Sequence, residues 1–536
     1  MVENFRPHLN IGSQSLQEHL RSPYGLSGNQ LSEVAQFIKL ADDDLNGYDA
    51  EIMRLEAKVV YLKSERERLL DHQATLSSLL SPIHRLPNEI LTRIFTFACD
   101  KNHLYRSPSS PSSFTLNLSA VCSRWRASCL SCSELWANFK VTIYSGFDER
   151  YLCQLEYILD IFLERSKQQP LTIHIEMFGS MEHPLLRKLT RCSTRWREII
   201  LDAPCYSDTV FPCLSGLQLP ELRSACIGKQ PVDQPVMSLD LFTAAPKLRT
   251  LGSLSRELAW TDTAPLSQII HLTYSPCFAN LHQVLELCPQ LKTLYLSNCE
   301  FECDSGLDSG PPKQVSIDSL TIYLVRHYPV IRDTLKNTMD SLSAPALTSL
   351  VLAQQSDLPE NGRSPRSPFK TIDDFLVRSA CPLIVLVLEG IPLTDHEVVA
   401  LLKWLPSLVE LTIAESPFKD PPLITLDFVE SLHSYRRSVL RSSVNPILPK
   451  LQKLVLEAQT TALDFERDCT SWLLIEVIVS RWLPEQSHAA SIGVSCLRSM
   501  ELYLSSYDEM GQFDRLEPYQ KSGLRFVVGE HRIFDH

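Results

Sequence analysis

One unit, apolar-x-x-apolar-x-apolar, recurs from Trp196 onward and limits what this chain can fold into. Clear copies are Leu291-Lys-Thr-Leu-Tyr-Leu296, Leu347-Thr-Ser-Leu-Val-Leu352, Leu383-Ile-Val-Leu-Val-Leu388, Leu408-Val-Glu-Leu-Thr-Ile413 and Leu451-Gln-Lys-Leu-Val-Leu456. Weaker copies start at Trp196, Leu222, Leu248, Ile269, Ile317 and Leu497. Successive starts lie 26, 26, 21, 22, 26, 30, 36, 25, 43 and 46 residues apart, so the longer intervals need insertions or missed copies. The alternating positions of each unit put its Leu side chains on one side of a strand. One such strand cannot bury that side alone, but stacked copies with returning helices can. The expectation is an α/β chain, with residues 141–536 forming an irregular solenoid of parallel strands and returning helices. A generic α/β domain without true repeats is the alternative.

Upstream, Lys140–Tyr144 and Leu171–Ile175 read as strands around an amphipathic helix carrying Tyr151, Leu155, Leu159 and Phe162. Strand, helix, strand is the order of a parallel sheet. Thr371-x-x-Asp374 and Thr394-x-x-Glu397 have the form of capping boxes that start helices between strands.

Composition narrows the function. Of 536 residues, 44% are hydrophobic and 21% charged, ordinary values for a globular protein. The net charge of -12 argues against broad nucleic-acid binding, which needs a basic face. The first residues lack the apolar core of a signal peptide. The densest apolar run, Trp472–Val479, contains Glu476 and is far too short to span a bilayer. An intracellular protein is expected, cytoplasmic, nuclear or both, with no membrane partner. The 16 cysteines are scattered: Cys129-x-x-Cys132 has no second pair at zinc spacing, and Cys299 and Cys303 are likewise unsupported. Free thiols in a reducing compartment are the plain reading. No metal or cofactor is expected. There is no Gly-rich phosphate loop, no His-Glu-x-x-His and no Gly-x-Ser-x-Gly, so no catalytic residues are assigned.

Residues 1–40 are mixed polar with Pro, Gly and Ser, and are expected to be disordered or loosely structured. Residues 41–81 read as a helix. With Leu45 at heptad position a, Ile52 and Val59 follow at a, while Tyr48, Leu55, Leu62, Leu69 and Leu76 fall at d. Arg66 and Gln73 make the later a column polar. Two readings stay open: a short coiled coil that self-associates through 45–76, or a single amphipathic helix packed on its own chain. Ser81-Pro82 ends the helix.

Residues 82–140 carry the most specific motif. Leu86-Pro-Asn-Glu-Ile-Leu91 leads into Ile94-Phe95 on a helical apolar face. Val121-Cys-Ser-Arg-Trp-Arg126 follows on a second helix, and Leu135-Trp136 on a third behind a Ser133 N-cap. Arg106-to-Ser113 widens the first gap with a Pro/Ser-rich loop within 101–113. So much apolar surface on three short helices exceeds what they can bury among themselves, and some should meet a partner. The three blocks, in this order and spacing, resemble the F-box. The whole chain, with degenerate leucine-rich repeats behind it, is similar to a large fungal family of F-box proteins. Cys299, three residues after Leu296, falls where the leucine-rich consensus places Asn or Cys.

The resemblance implies a substrate-recognition adaptor of a Skp/cullin/F-box ubiquitin ligase. The F-box would bind the Skp-type adaptor, and through it a cullin, while the repeats hold an unknown protein substrate. By match to the family motif, Leu86, Pro87, Ile90, Leu91, Ile94, Phe95, Val121, Cys122 and Trp125 form or support the adaptor surface. A scaffold that binds the adaptor outside a ligase is the alternative; an enzyme with an unrecognised site is a third class. For the substrate, strand alternation puts Glu389, Glu410, Glu457 and Glu501 on the outer sheet face with Tyr503, opposed by Lys453. Such a strip would steer a basic, partly apolar segment.

Overall fold

In a computed structural model of the chain, the structure describes residues 8, 26–99, 102–104, 113–144, 149–178, 184–202, 216–228, 237–253, 258–259, 265–274, 281–297, 311–324, 331–354, 367–415, 423–435, 445–458, 467–504 and 513–530. The chain divides into two compact units, Met1–Arg93 and Ile94–His536.

The first unit is dominated by one helix, α1 (Gly28–Leu79), of 52 residues. It starts 13 residues ahead of the expected Ala41, because Ser27-Gly-Asn-Gln30 is a capping box: the Ser27 N–H donates to Gln30 Oε1 at 2.9 Å. Pro82 stops it, as the sequence implies, and Pro82–Arg85 forms a single 3₁₀ turn. Asp44 is the buried residue of α1; its carboxylate accepts the His8 backbone N–H at 2.9 Å. Of the residues expected to be loose, 1–7 and 9–25 lie outside the described residues.

In the second unit, among the described residues, fifteen parallel strands form one sheet whose spatial order is the chain order. They are β1 (Asn102–His103), β2 (Asn138–Tyr144), β3 (Leu171–Phe178), β4 (Trp196–Asp202), β5 (Ser224–Ile227), β6 (Thr250–Ser253), β7 (His271–Tyr274), β8 (Thr293–Ser297), β9 (Ser319–Leu324), β10 (Ser349–Gln354), β11 (Val385–Glu389), β12 (Glu410–Ala414), β13 (Lys453–Ala458), β14 (Ser499–Leu504) and β15 (Arg525–Glu530). All eleven units read from the sequence become strands. Each strand begins two residues into its unit, except at Trp196, where it begins on the first. This sequential order, with helices or turns in the crossovers, is a solenoid-like α/β arrangement.

Registers explain the periodicity. Leu294 pairs with Leu320, then Leu350, Leu386, Leu411, Leu454 and Met500 in successive strands. All seven are buried. A second buried row starts at Leu296 and passes through Ile322 and Leu352. Each fully buried Leu contributes about 1.5–3 kcal/mol, so the stacked rows, rather than local propensity, hold the sheet.

Several local expectations shift. The helix after β10 runs Phe369–Ser379 with Pro368 at its N-cap, so Thr371 lies inside it and does not start it. Pro368, at a position whose N–H makes no intrahelical bond, caps the helix three residues ahead of Thr371. Thr394 and Glu397 do form the expected capping box, starting helix Asp395–Leu402. Part of the supposed 101–113 loop is the edge strand β1, and Leu104 beyond it is buried; residues 105–112 lie outside the described residues, as do Cys299 and Cys303.

Candidate functional site

Helix α2 (Asn88–Ala98) separates two apolar stripes that look like one in the sequence. Leu91, Phe95 and then Cys99 are buried at i, i+4, i+8. Ile90, Ile94 and Phe97, at i, i+4, i+7, are exposed, Phe97 at 75%. Positions three and four apart share a helix face, so the second stripe is a continuous apolar strip open to solvent. The motif leaves out Phe97; its place one turn beyond Ile94 on the same face is the sequence signal for it. Upstream, Pro87 is exposed and its carbonyl accepts the Leu91 N–H at 3.0 Å, while Leu86 is half-buried.

The second helix expected from the Val121–Arg126 motif is in fact two, α3 (Phe114–Val121) and α4 (Ser123–Ser131). Cys122 breaks them with extended backbone, φ -158° and ψ 169°. Its Sγ accepts the Trp125 N–H at 3.5 Å, so it serves as the N-cap of α4. Cys is not a usual cap, which hid the break from the sequence. Val121 ends α3 with 60% exposure. Trp125 is half-buried and meets Phe95 with ring centroids 4.8 Å apart, an arrangement that supports the helix carrying Ile94 and Phe97. Of the nine motif residues, then, Pro87, Ile90, Ile94 and Val121 face solvent, Leu86, Cys122 and Trp125 are intermediate, and Leu91 and Phe95 are core.

Buried polar contacts fix this framework to the sheet. Asn102 on β1 donates through Nδ2 to the Leu135 carbonyl at 2.9 Å and the Asn138 carbonyl at 3.0 Å, and its Oδ1 accepts the Thr115 N–H at 3.0 Å. The short 3₁₀ helix Ser133–Trp136 has Cys132, not Ser133, at its N-cap position. The Trp136 indole N–H donates to the Cys129 carbonyl at 2.8 Å. Its ring packs edge-on to Phe162 at 5.0 Å, and the Arg165 guanidinium lies 4.5 Å over it. Both partners sit on α5 (Glu149–Arg165), the amphipathic helix expected between β2 and β3.

Burial raises the Cys129 thiol to about 11, helped by neighbouring Cys99 and Cys132. The same desolvation lifts Cys226 to about 11 and Cys288 to about 12. At pH 8 about one in a thousand such thiols, or fewer, is thiolate. These three should stay unmodified when the native protein meets iodoacetamide, whereas exposed Cys153 should be alkylated. Mass spectrometry of peptides reads the difference; rapid labelling of Cys288 would show that the end of helix Leu281–Leu287 opens readily.

The second candidate surface is the sheet face opposite the buried rows. Register puts Val385, Glu410 and Lys453 in one row, Val387, Thr412, Val455 and Glu501 in the next, and Glu389, Ala414, Glu457 and Tyr503 in the third. All five predicted residues therefore share this face. Their depth differs from the expected open strip: Glu389, Glu457 and Glu501 are only 7–9% exposed. Strand alternation sets which face a side chain takes, not how deeply its neighbours cover it. Glu410 is the solvent-facing member, with Lys453 Nζ 3.6 Å from its carboxylate. Glu501 accepts the Tyr503 hydroxyl at 3.2 Å. Nearer β2 the same face carries polar pairs: Lys140 lies 2.9 Å from Glu176, and His174 is hydrogen-bonded to Asp202 at 2.6 Å.

Among the described residues, no helix is long and apolar enough to cross a membrane. The chain matches no curated protein. Residues 83–142, spanning α2, β1, α3, α4 and the start of β2, match the F-box-like family model.

Proposed function

We propose that this protein is the substrate-recognition adaptor of a Skp/cullin/F-box type ubiquitin ligase. The observation that carries the reading is the F-box-like match, whose first helix leaves Ile90, Ile94 and Phe97 open to solvent. Exposed apolar strips of this kind mark protein-docking surfaces. In this role the F-box-like domain binds a Skp-type adaptor, and a cullin joins through that adaptor. The long sheet holds a substrate protein. Ubiquitin transfer is accelerated because the charged enzyme and the substrate lysine are held close, raising their effective concentration. The chain itself makes and breaks no covalent bond.

The substrate side is the sheet face around Glu410, Tyr503 and the half-buried Val385 and Val387. Glu410→Lys puts two cations side by side with Lys453 and should weaken capture of a basic substrate several-fold, with a smaller salt dependence. A substrate whose affinity ignores that change binds elsewhere.

Affinity purification of the full chain from cells with the proteasome blocked tests the whole reading. A Skp-type adaptor and a cullin should co-elute, and at least one further protein should accumulate. Adaptor without cullin would favour the scaffold role; absence of the adaptor would overturn both.

A further inference from the structure

Helix α1 is roughly 78 Å long at 1.5 Å per residue. A periodic helix of that length signals pairing with another helix. Its heptad frame is longer than residues 45–76: Leu31, Val34, Ile38 and Ala41 continue it backward at a, d, a and d. The large apolar side chains at a and d between Leu31 and Leu76 are 43–68% exposed, apart from the half-buried Val34. Ile52, Leu55 and Val59 line an apolar groove at its middle.

Charge decides what fits this seam. From Glu33 to Glu56, α1 carries seven carboxylates against Lys39 and Arg54. From Lys58 to Asp71 it carries Lys58, Lys63, Arg66 and Arg68 against three carboxylates. The helix is thus acidic in its first part and slightly basic in its second. A second copy laid parallel and in register would set like charges together across the e and g positions: Glu51 with Glu56 and Lys58 with Lys63. It would also stack Arg66 on Arg66 inside the seam.

We propose that α1 pairs with α1 of a second copy of this chain, antiparallel, with Val59 of each opposite Leu62 of the other. Every charge conflict is then removed. Lys58 faces the second copy's Glu65, Glu51 faces its His72, and Glu56 faces its Lys63. Arg66 lies against Leu55, and Ile52 against Leu69. Glu51 and Glu65 already bond Arg54 and Arg68 within the helix at 2.6 and 2.7 Å, but a carboxylate has room for a second cation. The polar a positions, which weaken the seam, select this orientation. The two Leu79 ends, each followed in sequence by the F-box-like segment, lie roughly 55 Å apart at 1.5 Å per residue. The dimer thus presents two F-box-like segments, and it stands whether or not the ligase reading holds.

Sedimentation of the full-length protein at micromolar concentration should show a dimer. Lys58→Glu turns two attractive contacts into repulsive ones and should weaken dimerisation about tenfold; adding Glu65→Lys should restore it. In a parallel dimer Lys58→Glu would face Lys63 and tighten association. Leu55→Lys with Leu62→Lys should give monomers with undiminished helical circular dichroism, since Lys is a good helix former. A wild-type monomer at tens of micromolar, or tightening by Lys58→Glu, would overturn the proposal.

Discussion

Changing Ile94 and Phe97 together to Glu should weaken binding of a Skp-type adaptor at least a hundredfold while leaving the fold intact. Both side chains are exposed in the free protein, Ile94 at 43% and Phe97 at 75%. Charge there costs the isolated chain little. In a docked complex each would leave water, and burying such side chains is worth about 1.5–3 kcal/mol apiece. Replacing them with carboxylates removes that gain and adds a desolvation cost. The loss sums to at least 3 kcal/mol by that scale, about two decades in Kd. Leu86→Ala with Pro87→Ala should act in the same direction but less strongly, because Leu86 is already half-buried. Phe95 serves as the contrast. It is core against Trp125, so Phe95→Ala should lower stability by about 3–5 kcal/mol before it says anything about docking. Calorimetry with purified adaptor and thermal unfolding separate the two outcomes. Unchanged affinity in the double Glu variant would remove this strip from the interface.

Arg481→Met should be the most damaging single change in the last third of the sheet. Arg481 ends helix Arg467–Arg481 and is completely buried. Its guanidinium donates to the carbonyls of Leu432, Leu448 and Ile447, the last two at 3.1 and 2.6 Å. Leu448 has φ of 50°, a left-handed conformation that a branched side chain seldom adopts. The arginine thus clamps a strained turn just ahead of β13, while its own carbonyl accepts the Leu497 N–H at 2.9 Å ahead of β14. Methionine fills similar space but leaves three carbonyls without these donors. Losing a buried charged hydrogen-bonding group costs about 3–5 kcal/mol. Urea unfolding should show the midpoint falling accordingly. A loss under about 1 kcal/mol, the scale of a surface contact, would mean the turn holds itself.

The sheet was legible because its signal is local and repeated: an apolar start, then alternation, at eleven places. Burial of whole Leu rows leaves no freedom in register, since a one-residue slip would turn each row outward. Other features were not legible, for identifiable reasons. Asn102 sits in polar, loop-like sequence, yet its partners Leu135 and Asn138 are 33 and 36 residues away. No window of local pattern contains that. The split of α2 into an inner stripe with Leu91 and an outer one with Ile90 follows from packing, because both stripes are apolar in sequence. On the outer sheet face, parity placed Glu389, Glu457 and Glu501 correctly but could not give their burial. The start of α1 was readable after all, in the Ser27-x-x-Gln30 box.

The most direct test of the docking role is titration of the purified full-length chain with a purified Skp-type adaptor by calorimetry at several temperatures. Docking through an apolar strip should give a saturable one-to-one complex per chain, with a negative heat-capacity change from apolar burial. The Ile94→Glu, Phe97→Glu variant should bind at least a hundredfold more weakly. Absence of binding by the folded wild-type chain, or binding that the variant retains in full, would contradict it.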